Sequence, residues 1–573
     1  MMTAKKPQKK KDKAPSIPAI SSITLGGFQV FDEPTTIPLG RLTFLFGPNS
    51  AGKSTVEDAL ALFEDISDNG FSPRFRKQPG TQFSWLERHW RKVTDCKNGR
   101  AKLLHLGIES HIPTDIHAVI SMSDSFHIPP SKRRRHGGQD GHLVGLTYRY
   151  QYDDVAMHSE QPTADTDEWS VYAEVQMALD GLSVLMLDEL SGTVSLNLSH
   201  PVLSGWTILA SLGKSSDIPH DILRLKDGWL HFDALGYMPQ VDWTEGARRK
   251  LDRSTFHHAW RAKEIEVSTE LREAFEMFVD CFDELYQTVL GNISISTGIV
   301  AASRAVPTED DLTQVVRLGG DDYSWRVMKG DWGIPPSGLA TYRRLAESAL
   351  RHRWNLEPGW HVLPSRKLFD TVNQALTGYL FLERGYRLAF DYKIIMSSQA
   401  TEKWATEGDI SPVDCTFVVH LFLVDAQERY FSFADVGSGL GYVLPILCAV
   451  CDSGETVSQL QQPELHLHPA LQANMGDLFI DALNQNDEKQ LIIETHSEHI
   501  LLRVLKRIRQ TTEQTQSNPE LRIKPEDVSV VYFDPSPEGT TRVKRLRISE
   551  DGDFLDLWPR GFFPERDQEL FGE

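Results

Sequence analysis

The run GPNSAGKST at 47–55, entered from the apolar stretch LTFLF, constrains this chain more than any other feature. It fits GxxxxGK(S/T) with Gly47, Gly52, Lys53 and Ser54 at the fixed positions. Each residue type has a mechanical reason. Glycines let successive backbone N–H groups converge on phosphate, the lysine reaches the outer phosphates, and the serine hydroxyl can ligate magnesium where a helix N-terminus faces negative charge. Such a cradle demands the order strand, loop, helix, so the sequence predicts that LTFLF is extended and that a helix begins near Lys53.

The remaining composition narrows the class of protein. A chain of 573 residues predicts about two to four structural units. With 40% apolar and 24% charged residues it has the balance of a globular protein rather than a disordered or collagenous one. The longest apolar run, VLPILCAVC, is far short of the roughly 18 residues that a membrane-spanning helix needs, so no membrane association is expected. The net charge of -20 disfavours nucleic acid unless positive charge is concentrated locally. Residues 1–19 open with six lysines against one aspartate and lack the pattern of a secretory or transit leader. They read as a solvated basic tail, and a cytoplasmic location is the default. Five cysteines, odd in number and mostly far apart, argue against a disulfide framework. Cys448 and Cys451 form a CxxC inside the apolar run without a second pair, which favours core thiols over a metal site.

Along the chain, a basic and aromatic segment carries Arg74, Arg76, Lys77, Arg88, Arg91, Lys92, Lys97, Arg100 and Lys102, interleaved with Phe83, Trp85 and Trp90. It admits two readings, a DNA-binding surface using phosphate attraction and stacking, or a solvated helical face with its aromatics in the core. A second basic cluster, SKRRRHGG, lies among prolines and glycines and reads as a loop. From 146 to 231 the apolar residues alternate at period two, predicting antiparallel strands. From 260 to 290 the spacing becomes helical, with Ile265, Leu271, Phe275, Phe278, Phe282, Leu285 and Val289 on one broad face. A strand near 293–303, helices near 337–351 and 365–382, and strands at 386–396, 415–424 and 429–433 complete the pass.

The C-terminal third distinguishes among the many phosphate-loop proteins. FADVGSGLGYVLPIL reads as a strand end, a glycine-rich turn and the start of an apolar helix, a second helix N-terminus able to meet phosphate. QQPELHLHP follows a short strand, and LIIETHSEHIL places His496 directly after an apolar one. The order of these motifs, with the tail DGDFLDLWPRGFF and weaker support from SRAVP and VNQAL, resembles the ATP-binding-cassette (ABC) type ATPase heads of the RecF, SMC and overcoming-lysogenisation-defect (OLD) proteins. It looks closest to a prokaryotic group of ATPases related to the OLD proteins that bears an uncharacterised C-terminal domain. The resemblance covers about 20–64 and 293–573; the region between resembles no family.

That resemblance implies an α/β ABC-type P-loop head assembled from both ends of the chain, with a β-rich and helical insertion. The implied division is a tail at 1–19, head segments at 20–66 and 293–522, an insertion at 67–292 and a small C-terminal domain at 523–573. ATP and Mg2+ are the implied cofactors, held by Gly47, Pro48, Asn49, Ser50, Ala51, Gly52, Lys53, Ser54 and Thr55, with Ser54 as metal ligand. Ser438, Gly439 and Gly441 would form the signature that caps the γ-phosphate of the other subunit, and His496 would sense that phosphate. The implied partners are a second copy of the chain and a separate effector protein such as a nuclease, in DNA processing or antiphage defence.

One departure from the family pattern bears on hydrolysis. The family carries an acidic residue at the end of the strand before QPE, whereas this sequence has Gln461 and Gln462. An amide brings no negative charge to a metal and takes no proton from water at neutral pH, so slow turnover with retained nucleotide binding is expected. A hydrolysis-deficient nucleotide-binding scaffold or a DNA-binding sensor is the alternative. Glu464 is the nearest carboxylate, and its spacing suggests a structural or metal-edge role. Tyr442 also stands where relatives tend to have glutamine. The pair His466 and His468, in an expected extended segment, makes a poor zinc site without nearby cysteine.

Overall fold

The computed structural model describes residues 19–69, 104–112, 142–152, 171–188, 193–201, 203, 223–233, 297–302, 304, 308–317, 339–354, 367–381, 385–396, 398–407, 415–433, 435, 438–453 and 456–559. Both basic clusters and the helical pattern of 260–290 fall outside these residues.

The chain opens with β1 (Ile20–Gly26) and β2 (Thr35–Pro38), an antiparallel pair, and then β3 (Leu42–Phe46), which feeds the glycine-rich loop and α1 (Thr55–Asn69). Seven strands follow, β4 (Leu104–Ile112), β5 (His142–Tyr152), β6 (Val171–Leu179), β7 (Leu182–Asp188), β8 (Thr193–Asn197), β9 (Leu223–Lys226) and β10 (Trp229–Asp233). With β1 and β2 they make a nine-stranded antiparallel sheet in the order β2-β1-β4-β5-β6-β7-β8-β10-β9. The alternation of 146–231 thus appears as strands. The N-terminal pair, assigned by sequence to the head, opens this sheet together with strands from the expected insertion.

The second sheet positions the site. After β11 (Thr297–Val300), the short α2 (Glu309–Leu312) and β12 (Thr313–Arg317), the helices α3 (Leu339–Trp354) and α4 (Leu368–Ala375), the latter running into a π-helical turn at Leu376–Leu380, lead to β13 (Arg387–Met396) and α5 (Ser398–Glu407). Strands β14 (Cys415–Val424) and β15 (Tyr430–Phe431) precede α6 (Ser438–Cys451), β16 (Val457–Gln461), α7 (Pro469–Gln485), β17 (Gln490–Glu494), α8 (Glu498–Thr512), β18 (Val528–Pro535) and β19 (Thr541–Leu546). The six-stranded order is β11-β16-β17-β3-β18-β19, parallel except for the last pair, while β12 to β15 form a separate antiparallel sheet. A parallel sheet covered on both faces favours near-continuous apolar runs, and LTFLF and QLIIE are buried along their whole length, including Thr43, Gln490 and Glu494. Burying each of Leu42, Phe44, Ile493 and Val530 removes enough apolar area to contribute about 1.5–3 kcal/mol apiece.

Two caps locate the starts of α7 and α8. His468, in extended backbone, accepts from the Ala470 N–H and is followed by Pro469 at the first position of α7, where a missing N–H costs nothing. The HLH stretch is therefore a turn with a helix cap, His466 having φ +62°, and not the extended segment its period-two spacing suggested. Ser497 caps α8 by accepting from the Ile500 N–H at 3.3 Å. The segment expected as a small C-terminal domain places β18 directly beside β3. Trp558, in the tail motif, stands edge-on to Phe46 at 5.4 Å. Among the described residues no helix is long and apolar enough to cross a membrane.

A strand, a glycine-rich turn and a helix on a largely parallel sheet, with the turn outside the carboxyl ends of the strands, is the architecture of a P-loop nucleoside triphosphatase. The α/β class follows from the same topology.

Candidate functional site

The register of the parallel strands brings the site together. Gln461 at the end of β16 lies opposite Glu494 at the end of β17, and Glu494 lies opposite Leu45, just before the glycine-rich loop. Segments more than 400 residues apart in sequence therefore finish at one edge. At that edge Gly47 (φ +146°) and Gly52 (φ +91°) hold backbone conformations closed to other residues, and a Cβ on them would meet the Phe533 carbonyl at 2.6 Å and Val30 at 2.3 Å. Ser50 also takes a positive φ of +64°. Thr541, at the start of β19, fixes the loop from the C-terminal side by donating its hydroxyl to the Ala51 carbonyl at 2.8 Å. Thr55 donates to Gln29 Oε1 at 2.6 Å and so ties the start of α1 to the turn after β1.

Lys53 is buried, and its Nζ donates to the carbonyls of Gly47 and Pro48, each at 3.0 Å. It also pairs with Glu494 at 3.6 Å. Burial holds its pKa below the ordinary lysine value, and the neighbouring carboxylate opposes that shift. Ser54 donates its hydroxyl to Glu494 Oε2 at 3.1 Å. The two side chains expected to serve the phosphates and the metal thus both contact one acid on β17.

Gln461 is committed to protein partners. Its Oε1 accepts from the Ala302 N–H at 2.8 Å, and its Nε2 donates to Glu57 on α1. Glu57 is raised to about 8, first by burial and then by the charge of Glu494. Gln462 has φ +44°, and its N–H donates to the Glu494 carbonyl at 2.7 Å. The buried guanidinium of Arg304 spans this strand end, donating to the carbonyls of Ala301 and Gln461 through Nη1 and of Gln462 through Nη2. Its pKa is lowered to about 10 by burial.

Glu464 faces the other side of the same turn. Its Oε2 accepts from Thr495 Oγ1 and its Oε1 from the His496 backbone N–H, both at 2.7 Å. The carboxylate therefore orients the segment that follows β17. Burial, and then the charge of Lys53, keep the His496 imidazole below its ordinary pKa, so the ring is neutral at pH 7. The signature turn packs on this assembly from within the same chain. Tyr442 stacks on His466 with ring centroids 4.3 Å apart, and a Cβ on Gly439 would lie 3.0 Å from the His466 carbonyl. Ser438 begins α6 and Gly441 lies in its first turn.

Sequence reasoning brought Lys53, Ser54, Gln461, Gln462, Glu464 and His496 to one place, and the structure puts them there. It passed over Glu57, Glu494 and Arg304. The signals existed, since Glu494 opens ETHSEHIL and Arg304 lies in SRAVP, but neither motif states which way its side chain points. Cys448 is buried, and among the described residues no group of three or more His, Cys, Asp or Glu side chains could hold a metal.

Residues 399–501 match the family model described as an AAA ATPase domain. The matched stretch runs from α5 through Ser438, Gly439, Gly441, Gln461 and Glu464 to the first turn of α8, and leaves out the glycine-rich loop, α1, Arg304 and Thr541. Among solved structures the chain is similar to an Smc head bound to the C-winged helix domain of ScpA, at 10% identity over 92% of this chain and 98% of that one with a TM-score of 0.34. It is also similar to the SMC head domain from Thermotoga maritima, at 10% identity over 92% and 99% with a TM-score of 0.31. A third is the Smc head with an extended coiled coil bound to the C-terminal domain of ScpA from Pyrococcus furiosus, at 10% identity over 93% and 97% with a TM-score of 0.31. No curated protein sequence matches the chain.

Proposed function

We propose that the chain is an ABC-type ATPase head that works as a nucleotide-gated dimeric switch for a separate effector protein. The observation that carries the nucleotide reading is the convergence of Lys53 and Ser54 on Glu494 across 440 residues of sequence, with His496 close enough for Lys53 to depress its pKa. A triphosphate on the loop would meet the Lys53 ammonium, the Ser54 hydroxyl and the N-terminus of α1. Ser54 and Glu494 offer oxygen donors of the kind magnesium prefers, and would hold the ion beside a bound triphosphate.

Dimer gating rests on the signature turn. Ser438, Gly439 and Gly441 begin a helix whose N-terminus favours an anion, and Gly439 and Tyr442 pack on the turn that carries Glu464. A γ-phosphate contacted from both subunits would bind the closed dimer more tightly than the open one, which is what a ligand-driven switch requires. An effector of the nuclease type, in DNA processing or antiphage defence, is the setting suggested by the sequence motifs. Mass measurement by light scattering with and without ATP and magnesium tests the switch, using Lys53→Ala as control. A dimer formed with nucleotide by the wild type alone is expected, and unchanged mass in both proteins removes the switch.

A second reading, a nucleotide-binding scaffold that does not turn over, is favoured by the commitment of both Gln461 amide atoms to Ala302 and Glu57. Phosphate release by the wild type above the Lys53→Ala background excludes it.

A further inference from the structure

Resting on the nucleotide-binding reading, we propose that Glu494 on β17 supplies the acidic function that Gln461 on β16 lacks, positioning a magnesium-bound triphosphate through Ser54. The two residues are direct register partners at the ends of adjacent parallel strands, so moving the acid from one to the other shifts it by a single strand along the same edge. Adjacent strands lie about 4.8 Å apart, a distance a glutamate side chain can span. The Glu494 carboxylate does so, reaching Ser54 Oγ at 3.1 Å and Lys53 Nζ at 3.6 Å.

The neighbouring carboxyl groups are engaged elsewhere. Both oxygens of Glu464 accept from Thr495 and His496, and Glu57 accepts from Gln461. Gln461 is turned toward Ala302 and Glu57, away from the loop lysine. Glu494 is also fixed along its backbone, its carbonyl accepting from the Gln462 N–H at 2.7 Å while Arg304 holds the carbonyls of Gln461 and Gln462. Magnesium bound by one or two carboxylates together with phosphates and waters needs no cluster of acids. Magnesium held there by Ser54 and Glu494 would neutralise part of the phosphate charge.

The test is the magnesium dependence of nucleotide affinity, not turnover. ATP binding is titrated calorimetrically with magnesium and with EDTA for the wild type, Glu494→Gln, Glu494→Asp and Lys53→Ala, and bound Mn2+ is counted by paramagnetic resonance in the presence of nucleotide. Glu494→Gln is expected to lose at least about tenfold of the magnesium enhancement while binding metal-free ATP as well as or better than the wild type. Glu494→Asp, which keeps the charge on a shorter stem, is expected to fall between them and remains informative if the glutamine variant does not fold. Intact magnesium enhancement and Mn2+ occupancy in both Glu494 variants overturn the assignment while leaving nucleotide binding standing. Loss of ATP binding by the wild type in both buffers defeats the underlying reading instead.

Discussion

The carboxylate of Glu464 accepts the backbone N–H of His496 at 2.7 Å, so the turn after β16 sets the position of the residue that follows β17. The same turn contacts the signature helix through the Tyr442–His466 stack. A displacement of His496 by phosphate therefore has a short mechanical route to the surface proposed to meet the second subunit.

Glu464→Gln turns an amide NH2 toward one of the donors on Thr495 and His496 and leaves the other a neutral acceptor, which costs about 1–3 kcal/mol. ATP affinity is expected to stay near wild type, because Glu464 does not touch the loop lysine or serine. Dimerisation driven by ATP is expected to weaken, as read by light scattering at increasing nucleotide concentration.

Lys53→Ala removes the ammonium group that sits among the Gly47 and Pro48 carbonyls. Losing a charge-assisted contact to phosphate is worth about 1.5–3 kcal/mol, so ATP affinity should fall by at least about tenfold in a fluorescence or calorimetric titration. Wild-type affinity in this variant contradicts the site.

Glu57 gives the fold a pH dependence whose sign is fixed. Its pKa is raised from 4.5 to about 8, so the folded protein keeps a proton that the unfolded chain has lost across that window. Stability from this group is fully present below pH 4.5 and is lost as the pH rises toward 8, by an amount on the order of a few kcal/mol. Glu57→Gln, always neutral and still able to accept from Gln461, should melt at a higher temperature than wild type at pH 8. The difference should vanish near pH 4.5.

Gln461→Glu puts a second carboxyl group against buried Glu57, and two such groups cannot both ionise. The variant is expected to be less stable than wild type at pH 8 and to release phosphate no faster. Combining it with Glu57→Gln should recover the melting temperature. A single Gln461→Glu variant that hydrolyses ATP faster at wild-type stability contradicts the committed role of this amide.

The glycine-rich loop, the start of α6 and the placement of His496 after an apolar strand were legible because each depends on local chemistry: glycines for a tight turn, a helix start for its N–H groups, an apolar run for a buried strand. Period-two alternation likewise marked the antiparallel strands from 146 to 231. Spacing misled at His466 and His468, where a left-handed residue and a proline after the cap turned an apparent strand into a turn. The helical pattern of 260–290 and the basic segment of Arg74 to Lys102 lie outside the described residues.

By itself the sequence determined the glycine-rich turn, the buried strand before it and the helix starts, since residue type and local spacing set donors, acceptors and caps. Tertiary structure alone decided that Gln461 turns to Glu57 while Glu494 turns to Ser54 and Lys53. The reason is that strand register is a long-range property. It is set by the packing of β16, β17 and β3 into one sheet, and no motif in any one of those strands records it.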